Sequence, residues 1–365
     1  MKKIICLFLA VMLLMSSSTI ATANEGDAAS SLYIQSLECP VDIMHYATEN
    51  AARYIMGMDE ECLLNLDNVH VGQPFSYGND VSNLFTFPIF EGEKVVYTFR
   101  VAYSPDGELN GTMSTFLVDE LNEYMGTTSY EEPLLFRVDG CVLYACVGNT
   151  TKEIFEFEDD VPAPSAVNLA EEGEQASLST YDISTPIAFE PVWMQPRDPS
   201  RYINLKLTET QPSNNNWCVA YVTAAILRTL NAASVTARGI MVYFYGGNVS
   251  TSQMLSFSNA TEYSRICAGL MSTTYSTRAL SDSQLMSQLD NIGPVLYDMT
   301  NRTDGGKSSH AVALRGYSMG NRTWSIWNPV NPNRYYETFS WDGDYVSTTG
   351  NVFYYNGRTI YNFYQ

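Results

Sequence analysis

Charge is scarce in this sequence, and basic charge is scarcer. Only 16% of the 365 residues are charged, and 20 Lys+Arg face 40 Asp+Glu for a net charge of −20. No basic patch emerges, which excludes the usual electrostatic footprint of a nucleic-acid binder. Histidine is rarer still: His45, His70 and His310 are the whole set. There is no His-x-Glu, no Cys-x-x-Cys and no Gly-rich phosphate loop, so neither a metal nor a cofactor is expected. Cysteine is too thin for a disulfide scaffold, with Cys6, Cys39, Cys62, Cys141, Cys146, Cys218 and Cys267 scattered along the chain. Long apolar runs are also missing. After Ile4–Met15 nothing approaches the ~18 residues of a membrane span, so no membrane anchor is expected. No internal repeat is visible.

What is present reads as a folded, exported protein. A hydrophobic fraction of 45% can bury a core. The length suggests two domains at roughly 100–200 residues each. Lys2 and Lys3, the short apolar run, and Ala21-Thr22-Ala23 have the form of a signal peptide over 1–23, giving a secreted, extracellular chain that starts near Asn24. Acidity is confined to one half. Residues 24–200 hold 31 acids and 6 bases, whereas 201–365 hold 9 acids and 12 bases. The acidity either keeps an exported protein soluble or docks one half on the other.

The pattern along the chain gives an acidic module over 24–157, a linker over 158–186 and a second module over 187–365. In the first, Ile43, Ala47, Ala51, Tyr54 and Ile55 share one helix face. Strand-like runs follow. Leu84–Phe90 and Val95–Tyr103 flank Glu91-Gly92-Glu93, and Pro105-Asp106-Gly107 makes the next turn. Asp139-Gly140 splits Leu134–Val138 from Cys141–Cys146 as a hairpin signal, and Ile154–Phe157 closes the series. One helix on an antiparallel meander is expected. The linker carries Glu158-Asp159-Asp160, Pro162-Ala163-Pro164 and Glu171, Glu172 and Glu174, a composition that buries little. In the second module Val219–Leu230 reads as a helix, and Ser281 to Gln284 as a capping box that opens another. Strands are expected at Val295–Met299, His310–Tyr317 and Thr323–Trp327, with a hairpin at Asn356-Gly357. Helices before strands indicate an α+β fold.

Three residues of the second module carry chemistry. Cys218 follows the polar approach Asn214-Asn215-Asn216-Trp217 and opens the helix pattern, where backbone N–H groups and the helix dipole favour a thiolate. His310 sits where a loop joins a strand and can act as the base or stabilising imidazolium that a thiol needs. Asn328, at the end of Trp324-Ser325-Ile326-Trp327, can accept the imidazole N–H and fix its tautomer, with Trp327 shielding the bond. Each has a plainer reading: a buried small hydrophobe, a structural histidine, a turn asparagine before Pro329.

With those residues in that order, the chain resembles the staphopain family of papain-fold cysteine peptidases. The resemblance rests on Asn-Asn-Trp-Cys at a helix start, His-Ala-Val-Ala-Leu-Arg-Gly-Tyr from His310, Trp-Asn-Pro around Asn328, and Gly293-Pro294-Val295 ahead of the histidine. It covers about residues 200–345. It implies a papain-like peptidase domain that hydrolyses protein or peptide substrates through Cys218, His310 and Asn328. It also implies a precursor whose cystatin-like pro-domain is its own inhibitor. Papain-type enzymes place an oxyanion-hole glutamine six residues before the cysteine. Here that position is Pro212, and Gln211, or Asn214 or Asn215, is the candidate donor. Two other readings remain open at this point: a Cys–His cell-wall amidase or endopeptidase, and a catalytically inactive binding protein on the same fold.

Overall fold

The structure, a computed structural model, describes residues 31–58, 64–77, 84–157, 178–189, 200–230, 234–331 and 335–365. The expected signal peptide, Cys62 and residues 158–177 of the expected linker lie outside them. Among the described residues no helix is long and apolar enough to cross a membrane.

The fold is α+β and mostly sheet. The N-terminal half runs β1 (Tyr33–Leu37), α1 (Val41–Met56), β2 (Val69–Val71), β3 (Leu84–Glu91), β4 (Lys94–Tyr103), β5 (Leu109–Ser114), α2 (Val118–Tyr124), β6 (Leu134–Asp139), β7 (Val142–Val147), β8 (Thr150–Glu156) and β9 (Leu178–Asp182). Helix α1 forms where the apolar period requires it. Ile43, Ala47, Ala51, Tyr54 and Ile55 are buried against Phe85, Phe87, Phe99 and Val101 of β3 and β4. The helix ends at Gly57, where an added Cβ would fall 2.3 Å from the Thr323 hydroxyl oxygen. Only glycine lets that helix end approach the C-terminal half so closely.

The expected strands form, but not as one meander. Strands β2 to β5 are antiparallel neighbours, with positive-φ glycines at the Gly92 and Gly107 turns. Strands β6 to β8 also pair antiparallel, yet they belong to a separate sheet of order β8-β7-β6-β1-β9, in which β6 runs parallel to β1. Alternation and turn residues fix local pairing; they carry no information on which sheet a hairpin joins.

Strand β9 corrects the linker reading over 178–186. It pairs with β1 in register from Tyr33↔Asp182 to Leu37↔Leu178. Ile183 then enters the N-terminal core, and the Ile187 N–H donates to Val71 O at 2.9 Å. A short polar strand whose partner lies at the other end of its module has no local signature.

The C-terminal half continues with β10 (Ser200–Tyr202), α3 (Cys218–Thr229), α4 (Ala237–Tyr245), α5 (Phe257–Ile266), β11 (Thr274–Ser276), α6 (Asp282–Asn291), β12 (Val295–Asn301), β13 (Ser309–Ser318), β14 (Thr323–Trp327), β15 (Tyr336–Ser340), β16 (Tyr345–Val346) and β17 (Val352–Tyr361). Ser281 and Gln284 form the expected capping box of α6. The hairpin expected at Asn356-Gly357 does not form. Strand β17 runs through it, and its pairing with β12 shifts register there, so the Asn-Gly marks a bulge. Gly357 has φ 89°, and its Cα lies against the Ala279 backbone, where a Cβ would sit 2.8 Å from the amide nitrogen.

The two halves share one sheet. Strand β15 pairs with β5 through Thr338↔Met113 and Phe339↔Thr112, joining β11-β17-β12-β13-β14-β15 to β5-β4-β3-β2. Tyr335, Val346 and Val352 from the C-terminal half pack in the same buried cluster as Phe75, Phe90, Phe116 and Phe136. Among the described residues, the ion pairs between the halves are Arg100–Glu337 and Arg302–Asp106. The first draws its cation from the acidic half and the second from the C-terminal half, so the two pairs do not both follow the opposed net charges.

Candidate active site

The alternation of β12 and β13 sends side chains to two faces. Leu296, Ala311 and Ala313 face α3, in a buried cluster with Cys218, Val222 and Ile226. Val295, Tyr297, Val312 and Leu314 pack against Leu285 and Leu289 of α6. The sheet is thereby clamped between helices.

Cys218 is the first residue of α3. Its N-cap, Trp217, makes no side-chain cap bond, and no acid occupies the first turn. The helix start therefore keeps its positive end for the thiol. The approach is braced at three points. Asn215 Oδ1 accepts the Trp217 N–H at 2.8 Å, Thr251 O accepts the Asn216 N–H at 2.8 Å, and Ser250 O accepts the Trp217 indole N–H at 3.1 Å. Cys218 itself is buried. Cys267, by contrast, is exposed at the C-cap of α5. Among the described residues Cys39 and Cys146 form no disulfide, and burial followed by the Asp42 charge pushes the Cys39 thiol up to about 12.

His310 is the second residue of β13, and Asn328 follows the last residue of β14, the neighbouring strand. His310 Nε2 lies 2.8 Å from Asn328 Oδ1. That oxygen also accepts the Val330 N–H at 3.2 Å. An amide oxygen can only accept, so the imidazole proton belongs on Nε2. Nδ1 is then left to exchange a proton with a reacting group. Asn328 is buried, and its Nδ2 donates to the Tyr345 hydroxyl at 2.9 Å.

His310, Asn328, Gln211 and Ser213 line one pocket of about 290 Å³. The Gln211 N–H donates to Pro329 O at 2.7 Å, tying the loop before Cys218 to the residue after Asn328. The Gln211 side-chain amide donates to the Asn215 carbonyl. The N-terminal half contributes Glu153 to Phe157, the end of β8 and the residue after it, to the same lining. Phe155 is anchored edge-on against Phe116 and Phe157, with ring centroids 5.6 and 5.1 Å away.

The three expected residues are thus brought together unevenly. His310 and Asn328 are in direct contact. Cys218 is not in the pocket lining; it shares its buried cluster with Ala311 and Trp327, the chain neighbours of His310 and Asn328. Trp327 is fully buried in that cluster.

Other residues had no place in the sequence reading. Asp298, on β12, is buried and bonded by Arg358 Nη2 and Asn356 Nδ2, both at 2.5 Å. Burial nevertheless pushes its carboxyl above the ordinary value, more than those two partners offset. Behind Asn328, Tyr345 donates to Glu337 Oε2 at 2.7 Å, and Glu337 Oε1 accepts from Arg100 of β4. Arg100 did leave a trace: a lone cation in the middle of the apolar run Val95–Tyr103 requires a buried partner.

No protein-family model matches the chain, and no curated protein matches it either.

Proposed function

We propose that this chain is the precursor of a secreted cysteine peptidase with a papain-like C-terminal domain, similar to the staphopains, and a cystatin-like N-terminal module that inhibits it. The observation that carries this reading is the His310–Asn328 hydrogen bond at 2.8 Å, beside a helix that starts at Cys218 and packs on the histidine's strand. A thiol at an uncapped helix start, an imidazole with a fixed tautomer and a buried asparagine behind it are the parts needed for acyl transfer.

In this mechanism the Cys218 thiolate adds to a peptide carbonyl carbon, and the carbonyl electron pair moves to oxygen. The Cys218 N–H and the Gln211 side chain hold that oxyanion once Gln211 exchanges Asn215 for it. Collapse breaks the C–N bond as His310 gives its proton to the leaving amine. Water, deprotonated by His310, then cleaves the thioester and restores the thiolate. Asn328 keeps the ring oriented throughout. The inhibitory role of the N-terminal module is supported by the position of Phe155 in β8 and of Phe157 just after it, both in the lining of the His310 pocket.

The test is reaction with an epoxide inhibitor of papain-type enzymes, before and after limited proteolysis, with casein and purified peptidoglycan as parallel substrates. The expected result is alkylation of Cys218 and casein cleavage, both rising after proteolysis. Peptidoglycan cleavage alone would move the chain to the amidases. Absence of alkylation in the processed, folded protein would reject catalysis.

A further inference from the structure

A buried chain of hydrogen bonds runs from His310 into the N-terminal half. His310 Nε2 meets Asn328 Oδ1 at 2.8 Å, Asn328 Nδ2 donates to the Tyr345 hydroxyl at 2.9 Å, and Tyr345 donates to Glu337 Oε2 at 2.7 Å. Glu337 Oε2 also accepts from Asn331 Nδ2 at 3.0 Å, and Oε1 from Arg100 Nη2. Arg100 is held in turn by Ser114 Oγ at 2.8 Å and Val346 O at 3.3 Å. Arg100 and Glu337 are both 0% exposed.

The polarity of this chain is determined by counting donors. A Glu337 carboxylate can only accept, so the Tyr345 O–H must point at it. The Tyr345 oxygen is then free only to accept, which turns the Asn328 NH₂ toward it. That orientation leaves Asn328 Oδ1 facing His310, and the imidazole proton stays on Nε2. A neutral group at 337 removes the direction: Tyr345 can then donate to Asn328, whose amide can turn over and present NH₂ to the ring. The Val330 N–H favours the observed amide orientation as well, but across a longer 3.2 Å contact.

We propose that Glu337, paired with Arg100 of the N-terminal module, is a positioning residue that sets the orientation of Asn328 and the tautomer of His310 through Tyr345. The N-terminal module is then more than a cover on the site: it supplies a cation that pairs with the carboxylate behind the asparagine. This deepens the peptidase reading and rests on it for its catalytic meaning, but the hydrogen-bond polarity can be tested without any substrate.

The chain has three histidines, so ¹⁵N-histidine labelling of the full-length Cys218→Ala protein gives three ring systems, with His310→Ala assigning the third. The Cys218→Ala change prevents self-cleavage, and the spectra are recorded in mildly alkaline buffer. The expected parent spectrum has a protonated Nε2 on His310 that exchanges slowly with water. Glu337→Gln and Arg100→Met should each convert much of that signal to an unprotonated Nε2 and speed its exchange, whereas Arg100→Lys should restore the parent spectrum. Tyr345→Phe, which keeps the ring and removes the relay, should behave like Glu337→Gln even if the latter folds poorly. Unchanged His45 and His70 signals serve as the folding control. A His310 Nε2–H that persists unaltered in both Glu337→Gln and Tyr345→Phe overturns the proposal. A chain inert to the epoxide but showing these shifts keeps the relay and loses the peptidase; the reverse pattern keeps the peptidase and loses the relay.

Discussion

The Arg100–Glu337 pair allows a stability experiment whose size follows from burial. Both side chains are 0% exposed, and they belong to strands on opposite sides of the β5–β15 junction. Replacing Arg100 with methionine keeps most of the packing volume but leaves the Glu337 charge, among the described residues, with the Tyr345 and Asn331 side-chain donors. Breaking one partner of a buried pair costs about 3–5 kcal/mol. The two remaining donors place this case at the lower end, ~3 kcal/mol, which moves a urea midpoint by about 1 M when the slope is near 3 kcal/mol/M. The double variant Arg100→Met/Glu337→Gln has no buried charge to strand, so it should recover much of the loss and show a coupling of about 2 kcal/mol in the cycle. Urea unfolding of the Cys218→Ala chain, followed by tryptophan fluorescence and far-UV circular dichroism, measures both quantities. Because the sheet is continuous, the two probes should shift together. A midpoint change under ~0.3 M for Arg100→Met, or strict additivity in the cycle, would refute the idea that this pair bolts the halves together.

Other expectations follow from the same geometry. Cys218→Ala should abolish peptidase activity in processed protein, while Cys267→Ala, at an exposed helix end, should keep most of it; equal loss with folding intact would sink the assignment of the nucleophile. Asn328→Ala should lower kcat/KM by about 10- to 150-fold, the equivalent of a hydrogen bond to a charged imidazole of about 1.5–3 kcal/mol, and full activity would reduce the site to a Cys–His pair. Inhibition by the N-terminal module should change little between 0.1 and 1 M salt, because a buried apolar cluster and a dry ion pair join the halves; strong weakening by salt would restore a charge-driven docking. Asp298 has its folded value raised by burial first of all, so its contribution to stability is present below about pH 4 and is lost as pH rises through the raised value. Asp298→Asn should flatten that part of the stability–pH curve, and an unchanged curve would show that Asp298 is not the group responsible.

Local patterns made much of this protein legible, and distant pairings did not. The face of α1, the capping box of α6, the turns at Gly92, Gly107 and Gly140, and strands β12 to β14 all follow from short-range periodicity and turn chemistry. The placement of Asn328 beside His310 followed from two neighbouring strands whose ends were correctly read. What failed depends on partners far away in the chain. Strand β9 exists because β1 offers it an edge. Asn356-Gly357 has the residues of a tight turn, but the flanking segments pair with β12 on the same side, so the extra length is taken up as a bulge. The split of the expected meander into two sheets, and the hydrogen-bond chain through Tyr345, Glu337 and Arg100, join residues that no window of sequence contains together.

The position of β9 also bears on where the proposed precursor would have to be cut. A break anywhere in 158–177 severs the chain between β8 and β9, but it leaves β9 covalently on the C-terminal piece and paired along its whole length with β1 of the N-terminal piece. Ile183 stays in the N-terminal core, and Ile187 stays bonded to Val71. Such a nick does not free the module, and Phe155 and Phe157 continue to wall the pocket. A cut between Ile187 and Ser200 instead leaves β9 with the N-terminal module and removes that strand as a tether, leaving the β5–β15 junction, the shared core and the polar contacts across it to open. Proteins carrying an inserted site for a specific protease, one within 158–177 and one within 188–199, separate the two cases. The first cut should give fragments that co-elute on a native sizing column and react with the epoxide no faster than the intact chain. The second should give fragments that part under mild urea and an accelerated reaction at Cys218. Free separation and full acceleration after the first cut would show that β9 does not hold the module in place.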